Sequence, residues 1–167
     1  MYVRRFNPHV WFDQEKFNAD SISELSTSDN ELSVWYISDL SQLDDVVLAM
    51  ALSKDRIIEM HIVWIEKIKI VTCYKISVNE TEGNTKYNRM KNAHRNFCNM
   101  SFWEIGYTAE AINIQLENDS FYYFSEEDIE LLLYNAIKDG KLTKSEIEGN
   151  KRLIASIKRM EEIHGSL

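Results

Sequence analysis

The segment 32–78 carries the pattern that most constrains how this chain can fold. Residues 32–37 are apolar at both alternating sets of positions, which is typical of a central strand. Asp39 follows and can cap a helix whose apolar residues recur at helical spacing. Residues 57–65, rich in Ile and Val, predict a second strand, and residues 68–78 predict a further one. The order strand, helix, strand therefore predicts the core of the fold, with a right-handed crossover if the strands are parallel neighbours.

The C-terminal part of the chain predicts a helical hairpin at about 125–163. Ser125 can cap a helix that runs to about Lys138. The acidic residues in the first turn of this helix are favoured by its dipole. Thr143 and Glu146 have the spacing of a capping box and predict the start of a second helix. Strands followed by a helical hairpin indicate an α+β fold, or a small α/β one.

The length and composition of the chain indicate one globular domain. It has 167 residues, of which 44% are hydrophobic, with one Pro and five Gly. This is the usual size of a single domain, and little of the sequence resembles a linker. Two Cys are too few for a disulfide scaffold, and no apolar run approaches the roughly 20 residues that span a bilayer. We therefore expect a single domain over 1–167, cytoplasmic, with no membrane partner.

The charge of the chain is unevenly distributed. The net charge is −8, but residues 66–99 carry seven basic and three acidic side chains, whereas residues 1–65 and 100–167 are each net acidic by six. An acidic whole argues against non-specific binding to DNA or to anionic membranes, which depends on an excess of Lys and Arg. The basic segment either neutralises acidic surface beside it in the fold or contains a site.

Residues 86–97, within the basic segment, predict a polar helix rich in binding side chains. Lys91 and Arg95 suit contacts to phosphate groups, and Tyr87 suits stacking on a base. We therefore regard this predicted basic helix as a candidate RNA site. The alternative is a helix whose polar side chains simply face water.

Two candidate catalytic residues, Arg89 and His94, are separated by four residues, as are Arg159 and His164. An Arg followed four to six residues later by a His resembles the signature of HEPN-type ribonucleases. The resemblance implies His94 as general base and Arg89 as stabiliser of phosphate charge, which suits the chemistry of both side chains. Those nucleases are all-helical, however, whereas strands are predicted within 32–78. The resemblance is confined to these few residues.

No other motif indicates catalysis or a cofactor. The sequence has no GxxxxGK[ST], GxGxxG or GxSxG pattern. His94 and Cys98 are spaced to share one face of a helix, but two ligands do not make a metal site, and a buried Cys beside a core-edge His is the simpler interpretation. We therefore expect no metal and no cofactor, and we lean towards a protein that is not an enzyme.

The tryptophans have different expected environments. Trp35 and Trp64 lie in predicted strands, and we expect them in the core. Trp11 follows the turn signal at Pro8 and is a candidate for an exposed binding residue.

Two functional hypotheses follow from these patterns. The first is a small acidic protein-interaction module, such as an accessory subunit, an inhibitor or an immunity-type protein. Its acidic surface would favour a basic protein partner by long-range attraction. The alternative is an RNA-binding or RNA-cleaving domain that uses the predicted basic helix at 86–97. The sequence does not identify the partner in either case.

Overall fold

One antiparallel sheet lies at the centre of the structure, a computed structural model that describes residues 1–12, 19–25, 29–54 and 56–166. Its strands are β1 (Tyr2–Phe6), β2 (Leu32–Tyr36), β3 (Met60–Ile65), β4 (Ser77–Glu80), β5 (His94–Cys98) and β6 (Phe121–Phe124). Their order across the sheet is β4-β5-β2-β1-β3-β6, and every neighbouring pair is antiparallel.

Helices cover both faces of the sheet. The α-helices among the described residues are α1 (Pro8–Trp11), α2 (Ala19–Leu25), α3 (Leu43–Ser53), α4 (Phe102–Glu117), α5 (Glu126–Lys138) and α6 (Lys151–His164). Shorter 3₁₀ helices lie at Leu40–Gln42, Asn88–Ala93 and Lys144–Ile147, and a π-helical turn lies at Lys69–Cys73. The combination of one antiparallel sheet with packed helices confirms the predicted α+β class.

Alternating strand residues divide the core into two layers. Val3 and Ile62 belong to a cluster with α3, α5 and α6, whereas Phe6 and Val63 belong to a cluster with α2 and α4. Successive side chains of a strand point to opposite faces of the sheet, so both faces of β1 and β3 are buried. The central strands are therefore covered by helices on both sides.

The predicted strand-helix-strand core is present, but its two strands are not neighbours in the sheet. The strands β2 and β3 are parallel to each other, because both are antiparallel to β1, which lies between them. The prediction of a strand over 68–78 is wrong for most of its length. The chain forms the π-helical turn at Lys69–Cys73, Lys75 has a φ of 55°, and strand β4 begins at Ser77.

The C-terminal helical hairpin is confirmed. Ser125 is the N-cap of α5, as predicted, and it forms a capping box with Asp128. Thr143 and Glu146 also form a capping box, but it begins the short 3₁₀ helix at Lys144–Ile147. The second long helix, α6, begins later, and Asn150 is its cap.

The predicted basic helix at 86–97 is wrong. Asn88–Ala93 is a 3₁₀ helix, and His94–Cys98 is strand β5, which pairs with β2 on one side and β4 on the other. Met90 and Phe97, which have the spacing of a helical stripe, are buried in different core clusters. The backbone groups of β5 are hydrogen-bonded to β2 and to β4. This tertiary pairing overrides the helical spacing of the side chains.

None of the helices among the described residues is both long enough and apolar enough to cross a bilayer.

Candidate functional site

The strands β1 and β2 diverge and leave a cleft in the sheet. They pair at two positions, Tyr2↔Tyr36 and Val3↔Trp35. Beyond Val3 the cleft opens into a cavity of about 770 Å³. Its walls come from the end of β1, from Ser33 and Trp35 of β2, and from the end of α3. We call this cavity the β1–β2 cleft.

Arg4 lies in the wall of the β1–β2 cleft with a largely buried guanidinium group. One terminal nitrogen donates to the carbonyl of Ser33 at 3.1 Å, and the other donates to the backbone carbonyl of Glu24 at 3.3 Å. The Nε atom is buried and has no hydrogen-bond partner among the described residues. Burial lowers the pKa of Arg4, and the nearby carboxylate of Glu24 partly opposes this change. The cation is held in place by neutral carbonyl groups and keeps one donor free.

The two carboxylates in the cleft are held by neutral donors. Glu24 accepts hydrogen bonds from the backbone N–H of Asn7 at 2.9 Å and from the indole N–H of Trp11. Glu59 accepts a hydrogen bond from the hydroxyl of Tyr123 at 2.9 Å. Neither is within ion-pair distance of a described arginine or lysine in the cleft. The arginines of the cleft therefore form no close ion pair with these carboxylates, although the charge of Glu24 acts on Arg4 at longer range.

A second cavity, of about 500 Å³, lies at the start of α6, and we call it the α6 cavity. Seven described residues line it: Lys54, Arg56, Lys86, Gly149, Asn150, Lys151 and Arg152. Five are basic and none is acidic. The side chain of Asn150 accepts from the backbone N–H groups of Arg152 and Leu153 at 3.0 and 3.1 Å, and the first turn of the helix has no acidic residue. The helix dipole adds further positive potential at this end.

Lys54 joins the two cavities, because it lines both. Burial lowers its pKa, and three neighbouring arginines lower it further. In decreasing order of effect these are Arg5, Arg56 and Arg4. We call the β1–β2 cleft and the α6 cavity together the basic groove.

The basic groove concentrates positive charge in a chain whose net charge is −8. Within the described part of the chain, no carboxylate oxygen lies within 4 Å of the charged nitrogens of five of its cations. These five are Arg5, Lys54, Arg56, Lys151 and Arg152. Asp55 lies outside the described residues. Holding like charges together is unfavourable, so the arrangement is suited to a bound anion that compensates them.

Asn84, in the loop 81–87, and His94 also line the β1–β2 cleft, and the loop is joined to α3 by a hydrogen bond from the Thr85 hydroxyl to the carbonyl of Ala49 at 2.8 Å. His94 contacts the edge of the Trp35 ring, with the ring centroids 5.1 Å apart, and its Nδ1 lies 2.6 Å from the hydroxyl of Thr81. A Cβ on Gly83 would lie 2.6 Å from the Trp35 ring, so the loop can pass this close only because residue 83 has no side chain. Burial, and then the charge of Arg95, lower the pKa of His94.

The predicted catalytic pair is not brought together in the cleft. His94 lines the β1–β2 cleft, whereas Arg89 is exposed on the 3₁₀ helix and is not among the lining residues. Assignment of His94 as a general base with Arg89 as its partner stays a prediction from the sequence.

The predicted binding residues of 86–97 are dispersed. Tyr87 is fully buried and its hydroxyl donates to Asp45 at 2.7 Å, so its ring is not available for stacking. Burial and the neighbouring carboxylate of Asp45 raise its pKa. Lys91 lies 3.7 Å from a carboxylate oxygen of Glu82.

Arg95 points to the opposite face of the sheet from His94, since successive residues of a strand alternate. It forms an ion pair with Glu80 at 3.0 Å and donates to the carbonyl of Asn92 at 2.6 Å. Lys91 and Arg95 of the basic segment therefore each lie beside a carboxylate.

The tryptophans also differ from expectation in part. Trp35 is buried as predicted, and Trp64 packs against the core. Trp11 is buried rather than exposed, because its indole N–H binds Glu24 beneath α2. Trp103 and its neighbour Phe102 are the exposed pair, with relative accessibilities of 68% and 69%.

Sequence reasoning missed most cations of the basic groove. Four of the five basic residues in 1–65 lie in it: Arg4, Arg5, Lys54 and Arg56. The available signal was the occurrence of close cation pairs, such as Lys151-Arg152, inside acidic stretches. Charge summed over long segments of the chain does not reveal such pairs.

No metal-binding group of three or more His, Cys, Asp or Glu residues occurs among the described residues. His94 and Cys98 are four positions apart on a strand, which separates them by about 13 Å and excludes a shared metal ion. Both Cys73 and Cys98 are free thiols.

Comparisons of this chain with protein-family models, with curated proteins and with solved structures gave no match.

Proposed function

We propose that this domain binds single-stranded RNA through the phosphate groups of the strand, in the basic groove. The observation that carries the proposal is the convergence of cations from β1, from the end of α3, from Lys86 and from the start of α6. These residues are far apart in sequence, so their proximity is a product of the fold. Lys and Arg are the side chains that neutralise nucleic-acid phosphates.

A polymer suits the basic groove better than a small molecule. A small ligand is usually enclosed by one largely apolar pocket with a few polar groups. Here the cations are distributed over two adjoining cavities that share Lys54. A chain of phosphates can contact both cavities at once, which a single small anion cannot.

The proposal predicts a strong dependence of affinity on salt. Neutralising about five phosphates of a single strand gives a slope of about −3.5 for log K against log salt concentration. We would measure fluorescence anisotropy of a labelled single-stranded RNA over a range of salt concentrations. A single-stranded DNA of the same sequence is the second probe, and equal binding of the two would broaden the proposal to single strands in general.

The decisive variants are Lys54→Glu and Lys151→Glu. Each should weaken RNA binding about tenfold or more and reduce the salt slope by about 0.7 or more. The matched control is Lys158→Glu, which makes the same charge change on an exposed residue two turns further along α6. If all three variants weaken binding equally, RNA responds to net charge alone and the proposed site is wrong.

A second candidate function is binding of a basic protein through α4. Phe102, Trp103 and Tyr107 are exposed on this helix, and Glu104 and Glu110 lie among them. Exposed aromatic residues are enriched at protein interfaces, and the carboxylates favour a basic partner. The variant Trp103→Ser should abolish capture of a basic partner that Lys151→Glu still captures. Capture that is lost only in Lys151→Glu would refute this candidate.

A further inference from the structure

We infer that the β1–β2 cleft binds the terminal phosphate monoester of an RNA strand, so that the domain recognises strand ends. This inference rests on the proposed RNA function and assigns separate roles to the two parts of the basic groove. The α6 cavity contacts the phosphodiesters that follow, and the cleft receives the end.

The shape of the cleft favours a chain end. The paired positions Tyr2↔Tyr36 and Val3↔Trp35 close it at one end, and beyond Val3 the two strands diverge. An internal nucleotide needs an exit for the chain on both sides. A terminal nucleotide needs one opening, and Lys54 lies where the cleft meets the α6 cavity.

The donors in the cleft favour a doubly charged anion. A phosphate monoester carries between about −1.5 and −2 charges near neutral pH and has three acceptor oxygens, whereas a phosphodiester carries one charge. Arg4, Arg5 and Lys54 all line the cleft. Among them Arg4 is already held by two carbonyls and keeps a buried, unpartnered Nε–H. A fixed guanidinium with a free donor is the group expected where a bound oxygen completes the hydrogen bonding.

The lining of the cleft also contains uncharged polar side chains and aromatic rings that the terminal nucleotide can contact. Asn84 and His94 are the polar residues concerned, since the hydroxyl of Ser53, at the end of α3, already donates to the carbonyl of Met50 at 2.7 Å. Burial keeps His94 largely neutral at neutral pH, so it can donate or accept a hydrogen bond without adding a further charge. The positive charge that a phosphate would meet in the cleft is therefore that of Arg4, Arg5 and Lys54, while the carboxylates of Glu24 and Glu59 are occupied by neutral donors.

The test compares four forms of one RNA sequence: 5′-phosphorylated, 3′-phosphorylated, hydroxyl at both ends, and circular. We expect one of the two phosphorylated forms to bind about tenfold more tightly than the hydroxyl form, which corresponds to one added charge-assisted hydrogen bond. The circular form should bind no better than the hydroxyl form. Adenosine monophosphate serves as a competitor and distinguishes a free nucleotide from a strand end.

Variants of the cleft and of the α6 cavity should separate the two roles. Arg5→Gln and Arg4→Lys should each reduce the ratio between phosphorylated and hydroxyl RNA to about one. Arg5→Gln keeps the test valid if Arg4→Lys does not fold. Lys151→Glu should weaken both RNAs by the same factor and leave the ratio unchanged.

Each outcome has a distinct meaning. Equal binding of all four forms, with RNA binding retained, overturns the end-recognition inference and leaves the proposed function intact. Absence of RNA binding overturns the proposed function itself. Tight binding of adenosine monophosphate without RNA binding assigns the cleft to a free nucleotide and overturns both.

Discussion

The central strand β1 meets its two neighbours in different ways. It pairs with β3 at all five of its residues, but with β2 at two. The β3 side is lined by fully buried aliphatic residues such as Ile62 and Val63. The β2 side opens into a cleft that holds Arg4 and Arg5. One strand thus supports stability on one side and a candidate binding site on the other.

This difference shows how a small domain can contain a charged site within a packed sheet. Pairing with β3 fixes the position of β1 firmly enough for its other edge to remain partly unpaired. Functional sites are where proteins commonly depart from the arrangement that is best for stability. The comparison predicts that substitutions on the two sides of β1 have effects of different size and, in some cases, of different sign.

The largest effect is expected on the β3 side. Ile62→Ala removes a fully buried side chain that pairs opposite Arg5, and should lower the free energy of unfolding by about 2–5 kcal/mol. Ser33→Ala, on the cleft side, should change it by less than about 0.5 kcal/mol, because Ser33 is exposed and its hydroxyl makes one long contact to Asn96. Urea denaturation of both variants measures the difference. Equal losses would show that the two sides of β1 contribute alike.

The second prediction concerns the effect of Gly83, in the wall of the cleft, on stability. Gly83→Ala places a Cβ 2.6 Å from the Trp35 ring and 3.1 Å from the Cβ of His94. We expect a loss of about 1–3 kcal/mol in the free energy of unfolding from this overpacking. The matched control is Gly106→Ala in α4, where the new Cβ meets nothing within 4 Å and a helical Ala is preferred over Gly. That control should gain about 0.5–1 kcal/mol. Thermal unfolding that shows the same sign for both would contradict the close approach of the loop to Trp35.

The third prediction is a pH dependence that originates at the cleft. Burial, and then the charge of Arg95, lower the pKa of His94 below its usual 6.5. As the pH falls below 6.5, the unfolded chain binds a proton that the folded chain does not, so the free energy of unfolding declines. His94→Gln should make this decline shallower as the pH falls through 6.5. Part of the decline should remain, because burial also lowers the pKa of His61.

Two comparisons check the assignment of this pH effect. Hydrogen bonds from Ser101 and Ser125 lower the pKa values of Glu104 and Asp128, whose usual values are 4.5 and 3.8. Stability that depends on these two carboxylates is therefore lost in a more acidic range. His164→Gln, at the exposed end of α6, is the control substitution. A pH profile of His94→Gln that matches the unsubstituted protein would show that His94 does not contribute.

Local patterns in the sequence predicted the parts of the fold that depend on local interactions. Ser125 and Asp128 form their capping box within four residues, and the apolar residues of α3 recur at a spacing that is visible within the segment itself. The hairpin and the strand-helix-strand order could therefore be predicted. The sheet order could not, because placing β1 between β2 and β3 depends on pairing that no local pattern records.

The candidate site was harder to predict for the same reason. Tyr87, Met90, His94 and Phe97 recur at helical spacing, yet Tyr87 and Phe97 are buried in different core layers. The basic groove joins Arg4 to Arg152 across almost the whole chain. Charge counted by segment cannot reveal a cluster that tertiary structure assembles.

The smallest effect tests whether the cations of the basic groove oppose stability. Arg152→Glu exchanges a cation for an acid in the first turn of α6, where the helix dipole favours negative charge, and next to Lys54 and Arg56. The free energy of unfolding without ligand should therefore rise by about 0.5–1 kcal/mol at low salt, and less at high salt. Lys158→Glu makes the same exchange in the middle of the helix, where this gain should be absent.

Because Arg152→Glu should also weaken RNA binding, a rise in stability together with a loss of affinity would mean that Arg152 is positioned for an anion rather than for the fold. A fall in stability would mean instead that its charge already has a partner in the folded chain.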